Sequence, residues 1–307
     1  MKKRWLKIGF LSVFLLAYLW SNLWAESPSI IVLNTDVKVE KYQFHQDAFI
    51  QNISYTPTII NLADPQWNAE KLSHSLRGQS VKLVYAIGAK AYMAAIEYAS
   101  ELPIIFSSVI NFFRLPMTQQ TFGVSEELNI GMQLTIFRYI FPDIKRIGVL
   151  YSRQYTKEWY YEAVKQAQSM DLVIKGRLVS DSYQSLAAIR GLLNSVDVLW
   201  LIPDPAILNN QKHLFSLLNQ CHIRQKAVFS FHEAFAKHGV TLITSVDEAT
   251  VGRQAATMAS RILAGKKISD KVQFPAGSQV ILNLNNAQSY GLKYREGALK
   301  VVNHLVE

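Results

Sequence analysis

Apolar residues in this chain fall in short unbroken runs. Each run is followed by a longer stretch in which apolar and polar positions alternate with helical spacing. The clearest example is VKLVYAIGAKAYMAAIEYA, residues 81–99. Residues 83–87 form an apolar run with Val and Tyr and predict a buried strand, and Gly88 ends it. Residues 89–99 are rich in Ala, Met and Glu and carry no helix breaker, so they predict a helix. A strand, one glycine and a helix make half of a βαβ unit. In open α/β sheets such turns lie at the carboxyl ends of the strands, where ligands bind.

The same alternation runs along the rest of the chain. Strands are predicted over 29–34, 58–62, 102–106 and 121–125, and amphipathic helices over 40–53 and 128–141. Asp64-Pro65 is a good helix start and predicts a helix from there to Leu76. The pattern restarts near Lys145. Strands are predicted at 146–151, 172–179, 196–202 and 227–231, with helices at 158–170, 183–193 and 207–220 between them. A strand over 240–245 leads into Ser245-Val-Asp-Glu248, a capping-box spacing, and a long helix ending near Ala264. Residues 266–279 are polar, 280–284 form a last strand, and a C-terminal helix is predicted.

Nearly all these strands are wholly apolar, as expected when helices cover both faces of a parallel sheet. The fold class is therefore α/β, with two doubly wound parallel-sheet lobes. A length of 307 residues suits two domains better than one core. The restart near Lys145 predicts a second α/β domain of the same kind.

Composition narrows the class. Half of the residues are hydrophobic and 18% are charged, a globular balance. The N-terminus is unlike the rest. Residues 1–7 carry four positive charges and no acid, residues 8–19 are almost wholly apolar, and Trp24-Ala25-Glu26 follows. This is the pattern of a secretory signal spanning residues 1–25, with an uncleaved anchor as the alternative because Leu23 is large where a small residue is usual. Removing it lowers the net charge from +9 to +5. That mild excess, with no basic stripe, does not point to nucleic acid. Cys221 is the single cysteine, so no disulfide can form within the chain, and its place late in a predicted helix reads as a buried apolar residue. No cysteine follows the signal to carry a lipid.

Catalytic patterns are absent from the sequence. There is no G-x-S-x-G elbow, no GxxxxGK[ST] loop and no HExxH pair, and IGAKAYMAA has too few glycines for a dinucleotide fingerprint. His232 and His238 lack metal-ligand spacing. No metal, cofactor or enzymatic activity is expected.

With these elements in place, the chain resembles the substrate-binding proteins of bacterial ABC transporters. The resemblance rests on LVYAIGAKAYMAAI, LPIIFSSV, FGVS, FPDIKRIGVLY, VDVLWLIPD, VTLITSVDEATVGRQAATMASRILAGKK and VILNLNNAQSYGL, in the order and spacing of that family. It implies a type I periplasmic-binding fold, in which two lobes close on a ligand in the manner of a Venus flytrap. On that resemblance the first lobe is expected to hold residues 26–120 and about 240–265, and the second about 145–238, while residues 266–307 cross between the lobes and end in a strand and a helix, with no lobe assigned. It also implies amino-acid uptake, including aromatic amino acids, among the relatives. The implied protein is a periplasmic monomer that hands a small molecule to a membrane permease. A ligand-sensing module of the same fold is the alternative, and an exported α/β enzyme is the third reading.

Residues just past predicted strand ends are the candidate ligand contacts: Thr35, Asp36, Ala89, Lys90, Ser107, Ser108, Asn111, Ser152, Asp204, His232, Ser245 and Asp247. Short hydroxyls and helix N-termini suit a carboxylate. For each of them a purely structural role competes. Tyr42, Phe44, Phe112, Phe113, Tyr151, Tyr155 and Phe231 supply rings for stacking, with core packing as the competing role. Relatives carry Thr-Pro or Ser-Pro where this chain has Ala89-Lys90, and an aspartate where it has Asn111. Both departures predict a cleft of positive potential and a neutral or anionic ligand, aromatic or carboxylate-bearing.

Overall fold

The structure, a computed structural model, describes residues 29–78 and 80–306. The expected signal segment lies outside the described residues. Apolar runs become strands: β1 (Ser29–Asn34), β2 (Thr58–Asn61), β3 (Val81–Ile87), β4 (Ile104–Ser107) and β5 (Thr121–Val124) in the first lobe. Then follow β6 (Arg146–Ser152), β7 (Val173–Val179), β8 (Val198–Trp200), β9 (Ala227–Ser230), β10 (Leu242–Val246), β11 (Val272–Gln273), β12 (Ser278–Asn283) and β13 (His304–Val306). The first sheet has the order β11-β5-β4-β3-β1-β2 and the second β13-β12-β10-β9-β8-β6-β7. All pairs are parallel except β10 with β12. These are two α/β lobes, each built on a largely parallel sheet, as the alternation of apolar runs and helices predicts.

The chain crosses between lobes three times among the described residues. It leaves after β5 into helix Ile130–Ile140, whose Leu134, Phe137 and Ile140 are buried in the second-lobe core. It returns after β10 into helix Glu248–Leu263, whose Val251, Ala255 and Met258 pack with Ile30, Phe49 and Leu83 of the first lobe. It leaves again between β11 and β12.

Several expectations need correction. The stretch expected to return whole to the first lobe divides: β10 pairs with β9 and β12 in the second sheet, and only the helix after it reaches the first. Val246 at the end of β10 is the last residue of the second sheet before the crossing. The C-terminal stretch belongs to the second sheet through β12 and β13, and ends in a strand after a short 3-10 turn rather than in a helix. The helix expected from Asp64 begins at Ala69, where the Asn68 side chain accepts the Lys71 N–H. Asp64 instead accepts the Gln66 N–H in a local turn. Ser245 lies inside β10, so the cap of the following helix is Asp247, and the expected capping box does not form.

Helix Glu40–Asn52 and helix Glu248–Leu263 pack with their backbones in close contact. A Cβ at Gly252 would lie 2.5 Å from the His45 carbonyl oxygen, so only glycine fits there. Beneath them Phe49 stacks on Tyr85, ring centroids 4.3 Å apart. Full burial of each such side chain is worth about 1.5–3 kcal/mol.

Candidate functional site

A cleft of about 600 Å³ opens between the lobes. Its first-lobe wall is built by the start of helix Glu40–Asn52, by Glu126 and Glu127 just after β5, and by Asp247 and Glu248 at the start of helix Glu248–Leu263. Its second-lobe wall carries Trp159, Trp200, Ile202, Pro203 and Phe231. Gln133, Thr244, Ser245 and Gln279 also line it.

The aromatic wall is the outer face of the second core. Trp200 ends β8, is 1% exposed, and meets Trp159 edge-on at 4.8 Å and Phe137 edge-on at 5.0 Å. Phe137 passes the contact to Phe229, and Phe229 to Phe141. A ring entering the cleft would therefore meet Trp159, whose indole is fixed from behind by the buried Trp200 and so loses little freedom on binding.

The opposite wall is ionic. Five of its carboxylates line the cleft, those of Glu40, Glu126, Glu127, Asp247 and Glu248, against a single lysine, Lys41, and Glu233 adds a sixth from the second-lobe side. The Lys41 ammonium donates to Glu126 Oε1 at 2.6 Å. Burial alone would lower the Lys41 pKa, but the Glu126 carboxylate outweighs it and holds the pKa above the usual value. Burial, with the Glu248 carboxylate second, raises the Glu126 pKa, while Lys41 and His45 pull the other way. Glu127 is pushed up to about 7 by burial, although its Oε1 accepts the Asn111 N–H at 3.2 Å, which works against the shift. Behind this wall His45 is fully buried. Its Nε2 contacts Glu248 Oε2, and its Nδ1 lies 2.8 Å from Ser107 Oγ.

Three of the twelve expected contacts line the cleft: His232, Ser245 and Asp247. His232 Nδ1 accepts the Ala234 N–H at 3.1 Å. The surrounding walls and, second, the Lys41 ammonium hold its pKa below the usual histidine value. Asp247 accepts from the Thr250 hydroxyl.

The other nine do not line the cleft, and most have their polar groups engaged within the fold. Thr35 closes the organising turn itself: its hydroxyl donates to the Ile87 carbonyl and accepts the Ala91 N–H, so that helix N-terminus is partly filled from within. Gly88, at φ 89°, leaves no room for a Cβ beside Thr35 Oγ1. Asp36 accepts the Lys38 N–H, and Ala89 and Lys90 are exposed, with the Lys90 ammonium 3.4 Å from the Leu62 carbonyl. Ser107 is buried between His45 and Tyr85. Ser108 is buried, its hydroxyl unpaired among the described residues, and both Ser108 and Asn111 adopt left-handed backbone near φ 55°. Asn111 donates its side-chain amide to the Pro203 carbonyl at 3.3 Å, a contact between the lobes. Asp204 is buried, accepting from the Ser152 N–H, the Thr156 hydroxyl and the Ala206 N–H, and so fixes the loop ends of the second sheet.

The expected positive cleft is overturned. Lys90 is on the outside, Asn111 serves as a strut, and the lining is acidic, which disfavours the anionic half of the neutral or anionic ligand expected from those two positions. Among the expected rings, Phe44 and Phe231 line the cleft. Tyr42 packs on the first core, Tyr151 stacks on Tyr160, and Tyr155 lies under the Arg114 guanidinium. Phe112 packs against Phe106, and Phe113 is half exposed. Sequence reasoning missed Lys41, His45, Glu126, Glu127, Trp159, Trp200 and Glu248. The adjacent acids of FGVSEE and the Trp inside the strand run VDVLWLI were the visible signals. Cys221 is buried in helix Gln211–Ile223, and burial pushes its thiol up to about 12, which leaves it unreactive.

The comparisons agree with this geometry. A family model described as ABC transporter substrate binding protein matches residues 52–306. The "Tyrosine-binding protein" of Clostridioides difficile (strain R20291) is 23% identical over 208 residues, which is 61% of this chain and 56% of that protein. The chain thus matches a little over half of that relative's length. Among solved structures, the ligand-free, open form of a substrate binding protein with adhesive properties from Clostridium difficile superposes with a TM-score of 0.71 at 15% identity, covering 91% of this chain and 99% of that one. An ABC domain in complex with L-Trp from Streptococcus pneumonia superposes with a TM-score of 0.62 at 19% identity, covering 92% and 100%. With a family model matched over most of its length and two lobes enclosing a cleft, the chain belongs to the ABC transporter substrate binding protein family.

Proposed function

We propose that this protein is the exported solute receptor of an importer, and that its solute combines a flat apolar body with a protonated amine, as an aromatic amino acid does. The observation that carries this reading is the division of the cleft into an aromatic wall and an acidic wall. Indoles and phenyl rings take up a ring by stacking and area burial. Half-buried carboxylates attract an ammonium and repel a lone carboxylate. The names of relatives fit: one is a tyrosine-binding protein, and another was solved with L-Trp. Binding would draw the lobes together about the three crossing segments, and the closed form would be the one a membrane permease receives. The secretory pattern of residues 1–25 supports an exported location, and no helix among the described residues is long and apolar enough to cross a membrane.

A thermal-shift screen of the purified protein tests this. L-tyrosine, L-tryptophan and aromatic amines are expected to raise the melting temperature, corresponding to about 2.7 kcal/mol at a hundredfold excess over Kd. Sugars and aromatic acids lacking an amine are expected to leave it unchanged. A rise confined to those last two classes would overturn the reading.

A further inference from the structure

His45 takes no part in the cleft surface, yet the fold goes to some length to orient it. The imidazole is fully buried, and its Nδ1 is paired with Ser107 Oγ at 2.8 Å. Ser107 Oγ is in turn 2.7 Å from the buried Tyr85 hydroxyl. This relay fixes the ring so that Nε2 faces two carboxylates, touching Glu248 Oε2 and lying 4.0 Å from Glu126 Oε2. The Glu126 side chain is only 6% exposed. Its Oε1 is taken by Lys41, but its Oε2 has no hydrogen-bond partner among the described residues. A buried carboxylate oxygen left unpaired beside an imidazole nitrogen and a second carboxylate is a place for a cation.

We propose that His45, Glu126 and Glu248 form a divalent metal site in the first-lobe wall of the cleft, with Zn²⁺ as the best-matched ion. One donor atom from each lies within 4.8 Å of the others. One nitrogen and two carboxylate oxygens are a donor set that Zn²⁺ accepts, and three protein ligands leave a fourth position open. That position is on the cleft side, because Glu126 and Glu248 line the cleft and His45 stands behind them. The metal would take the place of the direct contact between His45 Nε2 and Glu248 Oε2. A ring nitrogen held by a second hydrogen-bonded group is the usual support of a metal-binding histidine. The three donors come from separate stretches of chain, and the close contact of Gly252 with the His45 backbone is what brings two of them together. Lys41 neutralises one Glu126 oxygen and leaves the other free, while Glu127 and Asp247 in the same wall add negative charge against a dication.

Isothermal titration of ZnCl₂ alone into the full chain, stripped with EDTA and dialysed at neutral pH, tests the site. One saturable site is expected, with a rise in melting temperature. Removing a ligand, by His45→Ala or by Glu126→Gln, should weaken binding by about 100-fold or more, and the positioning variant Ser107→Ala by about 10-fold. His45→Gln is the second variant should the buried alanine fail to fold, and circular dichroism reports folding for each. Absorption of the Co²⁺-loaded protein adds a readout that depends on the donor set: the visible band should change in His45→Gln. Absence of saturable Zn²⁺ binding, or binding that persists in both His45→Gln and Glu126→Gln, would overturn the inference. Titration of L-tryptophan into the stripped protein separates the two proposals. If the amino acid binds and Zn²⁺ does not, the pair of carboxylates serves an organic ammonium and the metal site fails while the solute reading stands.

Discussion

The two walls of the cleft are made by opposite physics. The second-lobe wall is aromatic and continuous with the core, so Trp200 stabilises the lobe and shapes the site through the same contacts with Phe137 and Trp159. The first-lobe wall gathers Lys41, Glu126, Glu127 and Glu248, with His45 behind them. Burying such groups costs stability unless each charge is matched, and Glu126 Oε2 is not. Folding alone accounts for the first of these walls, while the second is held together at a cost, and the proposed solute reading rests on both.

The largest effect should come from cutting the aromatic wall. Trp200→Ala is expected to cost about 3–5 kcal/mol, since it opens a cavity at a fully buried site. Denaturant unfolding measures it. A loss no greater than that of an average surface change would mean that this wall is not part of the core.

The ionic wall should respond with the opposite sign. Glu127 has its pKa raised to about 7 in the folded chain, so the protonated form is favoured there. Its contribution is fully present below the unfolded value and is lost as pH rises through about 7. Glu127→Gln should therefore raise stability above pH 7, by on the order of 2 kcal/mol, and change little near pH 4, where both states bind the proton. Melting curves across that range decide it. Equal stability of variant and parent at all pH values would show that Glu127 is not strained by burial.

The smallest effect is expected outside both walls. Lys90→Ala should leave solute affinity unchanged and stability within about 0.5 kcal/mol, as usual for an exposed side chain. A clear loss of affinity would place Lys90 in the cleft and blur the division between the walls.

Strands were legible because a strand covered on both faces must be apolar throughout, as in LVYAI and VDVLWLI. The rule that ligands meet residues past strand ends served less well. Thr35, Ser107, Ser152 and Asp204 do stand at such ends, but the fold uses their polar groups to close its own turns and loops. His45 was hidden for a different reason: as one polar residue in an amphipathic helix, it gave no sign that the helix face it shares would be pressed against Gly252.

The sequence by itself determined the two-lobed α/β plan, the family and the apolar supply for each core, because these follow from local periodicity and from motifs read in order. Only the tertiary structure decided which lobe takes β10 and the C-terminal strands, and which charges meet in the cleft. Glu126 joins Lys41 across 85 positions, and Glu248 joins His45 across 203. Contacts at such separations leave no local pattern. They arise where two helices and a crossing segment are packed together, and the same packing strips away the water that would otherwise keep those charges apart.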